Sequence, residues 1–197
     1  MKKLLIVFGF LLITLPAFAN DGIYLGAGLL VDHYSDLGPL YMVPGGNLKL
    51  GYDFGHFALE ANIMEDTHDD KLCGYGNGTR GFSGNSTFYG ESVDVRIPIM
   101  TTSHQKNIYG LVGVGKYTLD GPDIAVHERV KYTGIGYNLG IGFERYMGPH
   151  VAFNLAAIYR TVRFDKKEYP SLGITTTLSP KLSDDLISVE IGFNYHF

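Results

Sequence analysis

Hydrophobic residues alternate with polar residues or glycine in several stretches of the chain, and the pattern is most regular at its carboxyl end. Val189, Ile191, Phe193, Tyr195 and Phe197 share one parity, and the residues between them are glutamate, glycine, asparagine and histidine. A period of two places alternate residues on opposite faces of a β-strand. The sequence therefore predicts a last strand with one apolar face that ends on an aromatic ring.

The same alternation predicts seven further strands. Together with the last one, the predicted strands comprise residues 22–32, 46–54, 57–64, 87–100, 107–117, 132–146, 150–164 and 184–197. The faces of the fifth strand are ambiguous, because Tyr109 and Leu111 fall on one side and Ile108, Val112 and Val114 on the other. The remaining strands each have one largely apolar face and one face rich in polar residues and glycine.

The connections between the predicted strands alternate in length. Residues 55–56, 101–106 and 147–149 form short connections, whereas residues 32–45, 65–86, 118–131 and 165–183 form long ones. Short turns at one end and long loops at the other are typical of an up-and-down barrel in an outer membrane. Because the number of strands is even, both termini lie with the short turns. This predicts periplasmic termini and four extracellular loops.

A soluble lipocalin-like barrel would show the same alternation with its apolar face inside, so the composition of the polar face decides between the two. That face carries eight charged residues: Lys49, Asp53, Glu60, Asp94, Arg96, Glu144, Arg160 and Glu190. So many charges cannot line a dry cavity, but they can line a lumen in which acids and bases pair. We therefore predict an all-β fold, an eight-stranded antiparallel up-and-down transmembrane β-barrel.

Aromatic residues near the strand ends predict two belts at the membrane interfaces, where amphipathic rings are favoured. The periplasmic belt would comprise Tyr52, Phe54, Phe57, Tyr109, Tyr146, Tyr195 and Phe197. The outer belt would comprise Tyr34, Tyr41, Tyr89, Tyr117, Tyr132, Tyr159 and Phe164. The chain has no tryptophan, so tyrosine and phenylalanine alone would form both belts.

The amino terminus has the features of a secretory signal. Lys2 and Lys3 precede the apolar run 4–15, and the small residues Ala17 and Ala19 then form a cleavage pattern. This run is too short for a membrane-spanning helix, which needs about 20 residues. We expect a signal peptide at residues 1–19 and a mature barrel domain at residues 20–197.

Charge and cysteine content narrow the classes of function. Loss of Lys2 and Lys3 would change the net charge from −4 to −6, which argues against a nucleic-acid partner. Cys73 is the only cysteine, so an internal disulfide is impossible. It falls in a polar stretch and is either a passive residue or a thiol that reacts with another molecule.

Two hypotheses describe the lumen. The interior of an eight-stranded barrel is just wide enough to be filled by side chains, which predicts a structural plug. In such a plug, Arg96 and Arg160 would pair with some of the acids Glu60, Asp94, Glu144 and Glu190. The alternative is a narrow path that favours cations, since acids outnumber bases on the polar face.

Two clusters of reactive side chains are candidates for a catalytic or a metal site. His33 and Ser35 stand two residues apart within the sequence His33-Tyr34-Ser35-Asp36, but no third group is placed to orient the histidine. The second cluster comprises Glu65, Asp66, His68, Asp69, Asp70 and Cys73, whose spacing matches no defined metal-binding loop. We expect no catalytic, cofactor-binding or metal site.

The carboxyl-terminal pattern, with Phe197 last and Tyr195 and Phe193 behind it, resembles the terminal signature of bacterial outer-membrane barrels. With the signal peptide and the eight alternating stretches, the whole mature chain is similar to the opacity-protein and OmpA/OmpX-like group of small barrels. The resemblance implies a Gram-negative outer membrane. It also implies that the last strand, with Val189, Ile191, Phe193, Tyr195 and Phe197, is recognised by the barrel-assembly machinery.

Members of this group act as adhesins, immune-evasion proteins or envelope stabilisers, and some small barrels pass apolar solutes. The resemblance thus implies a non-enzymatic, monomeric surface barrel that contacts membrane lipid and a host or matrix ligand at its four loops. A narrow porin-like passage is the alternative, and a lipid A-modifying enzyme is a third hypothesis. Because the chain ends with the barrel, no peptidoglycan-binding domain is expected.

Overall fold

A computed structural model describes residues 22–34, 42–69, 85–103, 106–123 and 128–197. Within these residues the chain forms eight strands: β1 (Gly22–Tyr34), β2 (Val43–Asp53), β3 (Ala58–Asp69), β4 (Asn85–Ser103), β5 (Lys106–Asp123), β6 (Glu128–Tyr146), β7 (Val151–Tyr169) and β8 (Ile174–His196). Each strand pairs with its chain neighbours, and β1 pairs antiparallel with β8, which closes the barrel. The predicted fold is confirmed. The predicted signal peptide and Cys73 lie outside the described residues.

The barrel carries its polar residues inside and its apolar residues outside. In β8, the side chain of Ile191 is 51% exposed, whereas that of its neighbour Glu190 is 1% exposed. The apolar outer face of this strand runs from Ile187 to Tyr195, which agrees with the 9–11 residues that a tilted strand needs to cross a bilayer. Among the described residues, no helix is long and apolar enough to span a membrane.

The structure settles which way the fifth strand faces. Tyr109, Leu111 and Tyr117 are buried in the lumen, whereas Val112 and Val114 are exposed on the outer surface. The Tyr109 ring lies directly over Gly142 of β6, where even a Cβ atom would overlap the ring. The sequence pattern was ambiguous because this strand is apolar on both faces.

The belt predicted at the short-turn rim is correct for its exposed rings but wrong for Tyr109, and the belt predicted at the other rim is largely wrong. Tyr52, Phe54, Phe57 and Tyr195 are exposed at the rim that carries the short turns, with the Phe54 and Phe57 ring centroids 4.7 Å apart. The predicted belt residues Tyr109, Tyr34, Tyr117 and Phe164 instead point into the barrel, because they share the parity of the inward residues. At the opposite end of the apolar band, the predicted belt residue Tyr159 is exposed, and so is Tyr137, which the sequence did not assign to a belt.

Two of the four long loops predicted from the sequence are wrong, because the strands continue through them. β7 extends to Tyr169 and β8 begins at Ile174, so only a tight turn joins them. Likewise, β5 and β6 extend to Asp123 and Glu128 and pair there. We call residues 118–123, 128–133 and 163–183 the projecting sheet, since they lie beyond the apolar band. Among the described residues, β1 pairs with β8 only as far as Leu186, and beyond that point β8 pairs with β7 alone.

Candidate functional site

A chain of buried ion pairs crosses the middle of the lumen. Lys49 contacts Glu190, and its Nζ lies 3.6 Å from Oε1 of Glu60. Arg96 continues the chain, with Nη1 3.6 Å from Oε2 of Glu60 and Nη2 3.2 Å from Oε1 of Glu144. The five residues come from five different strands and are all buried. Each base lies between two acids, so the chain holds five strands together across the interior.

Neutral hydrogen-bond donors satisfy the remaining lone pairs of these acids. The Tyr24 hydroxyl donates to Glu60 over 2.8 Å. Nδ2 of Asn154 donates to Glu190 over 2.7 Å, and Oδ1 of Asn154 accepts from the Tyr109 hydroxyl at 2.6 Å. A buried ion pair is tolerated only where such bonds offset the loss of water. The arrangement therefore has the chemistry of a rigid core.

Arg160 forms a separate group nearer the projecting sheet. It donates to the Ser188 hydroxyl, which donates to Asp32, and its Nη1 lies 3.9 Å from Oδ1 of Asp32. Asp32, the acid that pairs with Arg160, is therefore not one of the four acids predicted as its partners from the sequence. Asp32 has the same parity as the inward-facing glycines of β1, and this parity could have identified it as a lumen residue. Asp94, one of the predicted partners, instead accepts from Asn138 over 2.7 Å.

Asp53 has a different environment from the other seven charged residues of the polar face. It lies at the end of β2 and is only half-buried. Its Oδ1 accepts a hydrogen bond from the backbone N–H of Gly55 over 2.7 Å. Gly55 has a φ of 82°, in the left-handed region that favours glycine. Asp53 therefore shapes the β2–β3 turn and does not join the ion-pair chain.

The half of the lumen nearer the projecting sheet contains a large apolar cluster beside the Arg160 group, which the sequence pattern did not predict. A buried cluster fills it: Leu30, Tyr34, Val43, Met64, Phe88, Tyr117, Val162, Phe164 and Leu186. The Phe88 and Tyr117 rings stack with centroids 5.5 Å apart. The expected plug is therefore polar in the middle and towards the short turns, and of mixed polar and apolar character in its outer half. The outer half is closed by packed rings and aliphatic side chains.

The opposite mouth is narrowed by a histidine held between two tyrosines. His196 is buried, and its ring centroid lies 5.0 Å from those of both Tyr24 and Tyr146. Its Nε2 is 3.9 Å from Oε1 of Glu144, which connects this mouth to the ion-pair chain. Side chains thus occupy the lumen at both ends as well as in the middle.

The strand geometry divides the candidate metal cluster, whereas the candidate catalytic pair His33 and Ser35 lies partly outside the described residues. Tyr34 turns inward, and its hydroxyl donates to Oδ2 of Asp66 over 2.6 Å. Glu65 is exposed on the outer face, so it and Asp66 point in opposite directions. Within the part of the chain that the structure describes, no three histidine, cysteine or acidic side chains are grouped to hold a metal ion. Ser35, Asp36, Asp70 and Cys73 lie outside the described residues.

The projecting sheet ends in an exposed hairpin between β7 and β8. Leu172 and Ile174 are 54% and 48% exposed at its turn, where Gly173 has a φ of 63°. The Ser171 hydroxyl donates to Oε2 of Glu128 over 2.6 Å and so connects the turn to β6. This hydrogen bond therefore connects the hairpin to β6, while none of the described residues covers its apolar tip.

Comparisons with known proteins agree with this architecture. The family model for the outer membrane protein beta-barrel domain matches residues 5–197. A search of curated protein sequences finds no match. Among solved structures, Neisserial surface protein A is similar with a TM-score of 0.60 and 15% identity, covering 89% of this chain and 97% of that one.

Two further barrels are similar over almost their whole length. Ail of Yersinia pestis has a TM-score of 0.57 and 14% identity, covering 90% of this chain and 99% of its own. A major outer membrane protein of Thermus thermophilus has a TM-score of 0.57 and 13% identity, with coverage of 89% and 99%. At such low sequence identity, these similarities show a shared fold and nothing more.

Proposed function

Because the chain belongs to the outer membrane protein beta-barrel family, we propose that it is a non-enzymatic surface protein of a Gram-negative outer membrane. In this proposal the lumen is a structural plug, and the projecting sheet contacts a host or matrix ligand outside the cell. Membrane lipid surrounds the apolar band. The last strand, including Phe193 and Tyr195, is recognised by the barrel-assembly machinery, and the barrel acts as a monomer.

The proposed orientation places the projecting sheet outside the cell and both chain ends in the periplasm. Outer-membrane barrels have short periplasmic turns and longer external connections. Here the tight turns at residues 54–57 and 147–150 lie at one rim together with Phe197, and the extended strands lie at the other.

The observation that carries the proposal is the exposed apolar tip of the β7–β8 hairpin. Leu172 and Ile174 lie far beyond the apolar band, where no lipid would cover them. Neighbouring apolar side chains that are exposed together can mark a surface that contacts a partner. The similar barrel Ail has been crystallised with the heparin analogue sucrose octasulfate. Because Lys166, Lys167 and Lys181 surround this tip in sequence, sulfated glycans are the first ligand class to test.

The test replaces residues 165–181 with Asn-Gly, a two-residue turn that joins Phe164 directly to its partner Leu182. Cells that display this variant should lose adhesion to heparin-coated and matrix-coated surfaces. The barrel should stay folded, as judged by heat-modifiable migration on a gel. The control is Met147→Ser, which changes an exposed apolar residue at the opposite rim. Unchanged adhesion of cells displaying the folded hairpin variant would contradict the proposal.

A narrow passage for apolar solutes is the second candidate function. The observation that favours it is the apolar cluster in the outer half of the lumen, where Phe88, Tyr117 and Phe164 pack together. An apolar solute that enters there would have to leave sideways into the membrane, because the ion-pair chain below it would reject it. If this function holds, Phe88→Ala should raise the uptake of such a solute by whole cells. The surface-contact proposal expects unchanged uptake.

A further inference from the structure

Three exposed cations lie together on the outer face of β5, β6 and β7. In the strand register, Ile135 of β6 is flanked by Lys116 of β5 on one side and by Arg163 of β7 on the other. One pleat further out, Thr133 is flanked by Lys166. All three cations are exposed and point outwards, away from the lumen. We call Lys116, Arg163 and Lys166 the basic cluster.

The basic cluster lies at the edge of the apolar band. Ile135 is 56% exposed, and Tyr137, the next outward residue of β6, is 62% exposed. Exposed tyrosines mark the interface between hydrocarbon and headgroups. Two residues of a strand span about 6.7 Å, so the cluster begins within one pleat of that interface. This is the depth at which lipid phosphates lie.

Within the ranges that the structure describes, no acid forms an ion pair with the basic cluster. Among the described residues, none of its three cations has a carboxylate within ion-pair distance. By contrast, the neighbouring cations Arg129 and Lys131 pair with Asp120 at 2.8 and 3.6 Å. On its other side, away from β6, Lys116 has an acid, Glu91 of β4, as its register partner. The cations therefore remain available to an anion from the membrane.

We propose that the basic cluster binds the phosphates of an anionic lipid of the outer leaflet, of the bisphosphorylated lipid A type. Lys116 and Arg163 flank one apolar residue, so a phosphate above Ile135 can be reached from both sides. Arginine can bind phosphate with two parallel hydrogen bonds, and lysine adds a point charge. The acyl chains of the same lipid would lie along the apolar band below, against Tyr137. The choice of leaflet depends on the orientation given under the proposed function.

The experiment measures lipid binding to the refolded protein in neutral detergent micelles by native mass spectrometry. Bisphosphorylated lipid A is titrated into the wild type and into the double variant Lys116→Gln/Arg163→Gln. The control is Arg145→Gln, which removes an exposed cation at the opposite rim of the barrel. A basic residue near a membrane surface contributes about fivefold in affinity. The cluster variant should therefore bind about 25-fold more weakly, and the control should remain within about twofold of the wild type.

Three results would overturn the inference. These are unchanged binding by the folded cluster variant, an equal loss in the control, or equally tight wild-type binding of lipid A without its phosphates. If the cluster variant lost heparin binding but kept lipid binding, the cations would be assigned to a glycan instead. If the double variant does not fold, Lys116→Gln alone should bind about fivefold more weakly.

Failure of the proposed function would be seen separately. The micelle assay does not depend on orientation in the cell, since both rims are accessible. The hairpin replacement that tests adhesion retains Lys116 and Arg163. It should therefore still bind bisphosphorylated lipid A more tightly than the cluster variant does.

Discussion

Arg96 contacts two buried acids and two buried aromatic rings in the described part of the lumen. It pairs with Glu60 and Glu144, donates to the Tyr24 hydroxyl over 3.2 Å, and places its Cζ 3.9 Å from the centroid of the Tyr109 ring. A cation over an aromatic face gains energy when both are removed from water. The guanidinium thus connects two acids and two rings that come from four other strands.

Removing Arg96 should strongly destabilise the barrel. In Arg96→Met, Glu60 and Glu144 lose their shared base, and an uncompensated buried charge costs about 3–5 kcal/mol. The free energy of unfolding, measured by urea titration in lipid vesicles with the folded and unfolded gel bands quantified, should fall by about this amount. Adding Glu144→Gln should recover part of the loss. The exposed Arg145→Met is the control, and an equal loss there would show that Arg96 is not special.

The sequence indicated which charged residues point inward but not which of them meet. Parity alone placed Lys49, Glu60 and Arg96 on one face, because a strand alternates strictly. The partners depend on register and on side-chain length across the lumen, which one strand's pattern does not contain. Arg160 illustrates the limit, since its ion pair is with Asp32 on a strand distant in sequence.

At the scale of single elements, the main difference between sequence and structure is the length of β5 to β8. Hydrophobic alternation indicates a strand only where one face meets lipid. Beyond the apolar band both faces can be polar, as in the run Thr175-Thr176-Thr177, so the pattern disappears while backbone pairing continues. Thr175 pairs with Glu168 and Thr177 with Lys166, although neither pair has the alternation that revealed the membrane strands.

The β7–β8 hairpin should be separable from the barrel in stability. Gly173 has a φ of 63°, which a β-branched residue adopts only under strain of about 1–3 kcal/mol. Gly173→Val should therefore accelerate amide hydrogen exchange in the hairpin, at Lys167 and its neighbours, without changing the urea midpoint of the barrel. Gly148→Val, at the opposite rim with open space around the glycine, is the control and should leave hairpin exchange unchanged. A lower midpoint in Gly173→Val would mean that the hairpin folds as one unit with the barrel.

For the whole molecule, the lumen is layered along the barrel axis. His196 lies between two tyrosines at one mouth, the ion-pair chain of Arg96 crosses the middle, and the cluster around Phe88 closes the outer half. Composition and alternation could predict a membrane barrel of eight strands. They could not predict this layering, because inward apolar residues such as Phe88 and Phe164 have the sequence signature of strand ends or interface belts.

The central claim is that the lumen is closed by side chains, so that the protein acts through its outer surface. The most direct test is single-channel recording of the refolded mature chain in a planar lipid bilayer, on protein that shows heat-modifiable migration. We expect no conductance steps, because rings and ion pairs fill all three layers. Stable cation-selective steps that Glu60→Gln alters would contradict the account and would make the ion-pair chain a conducting path.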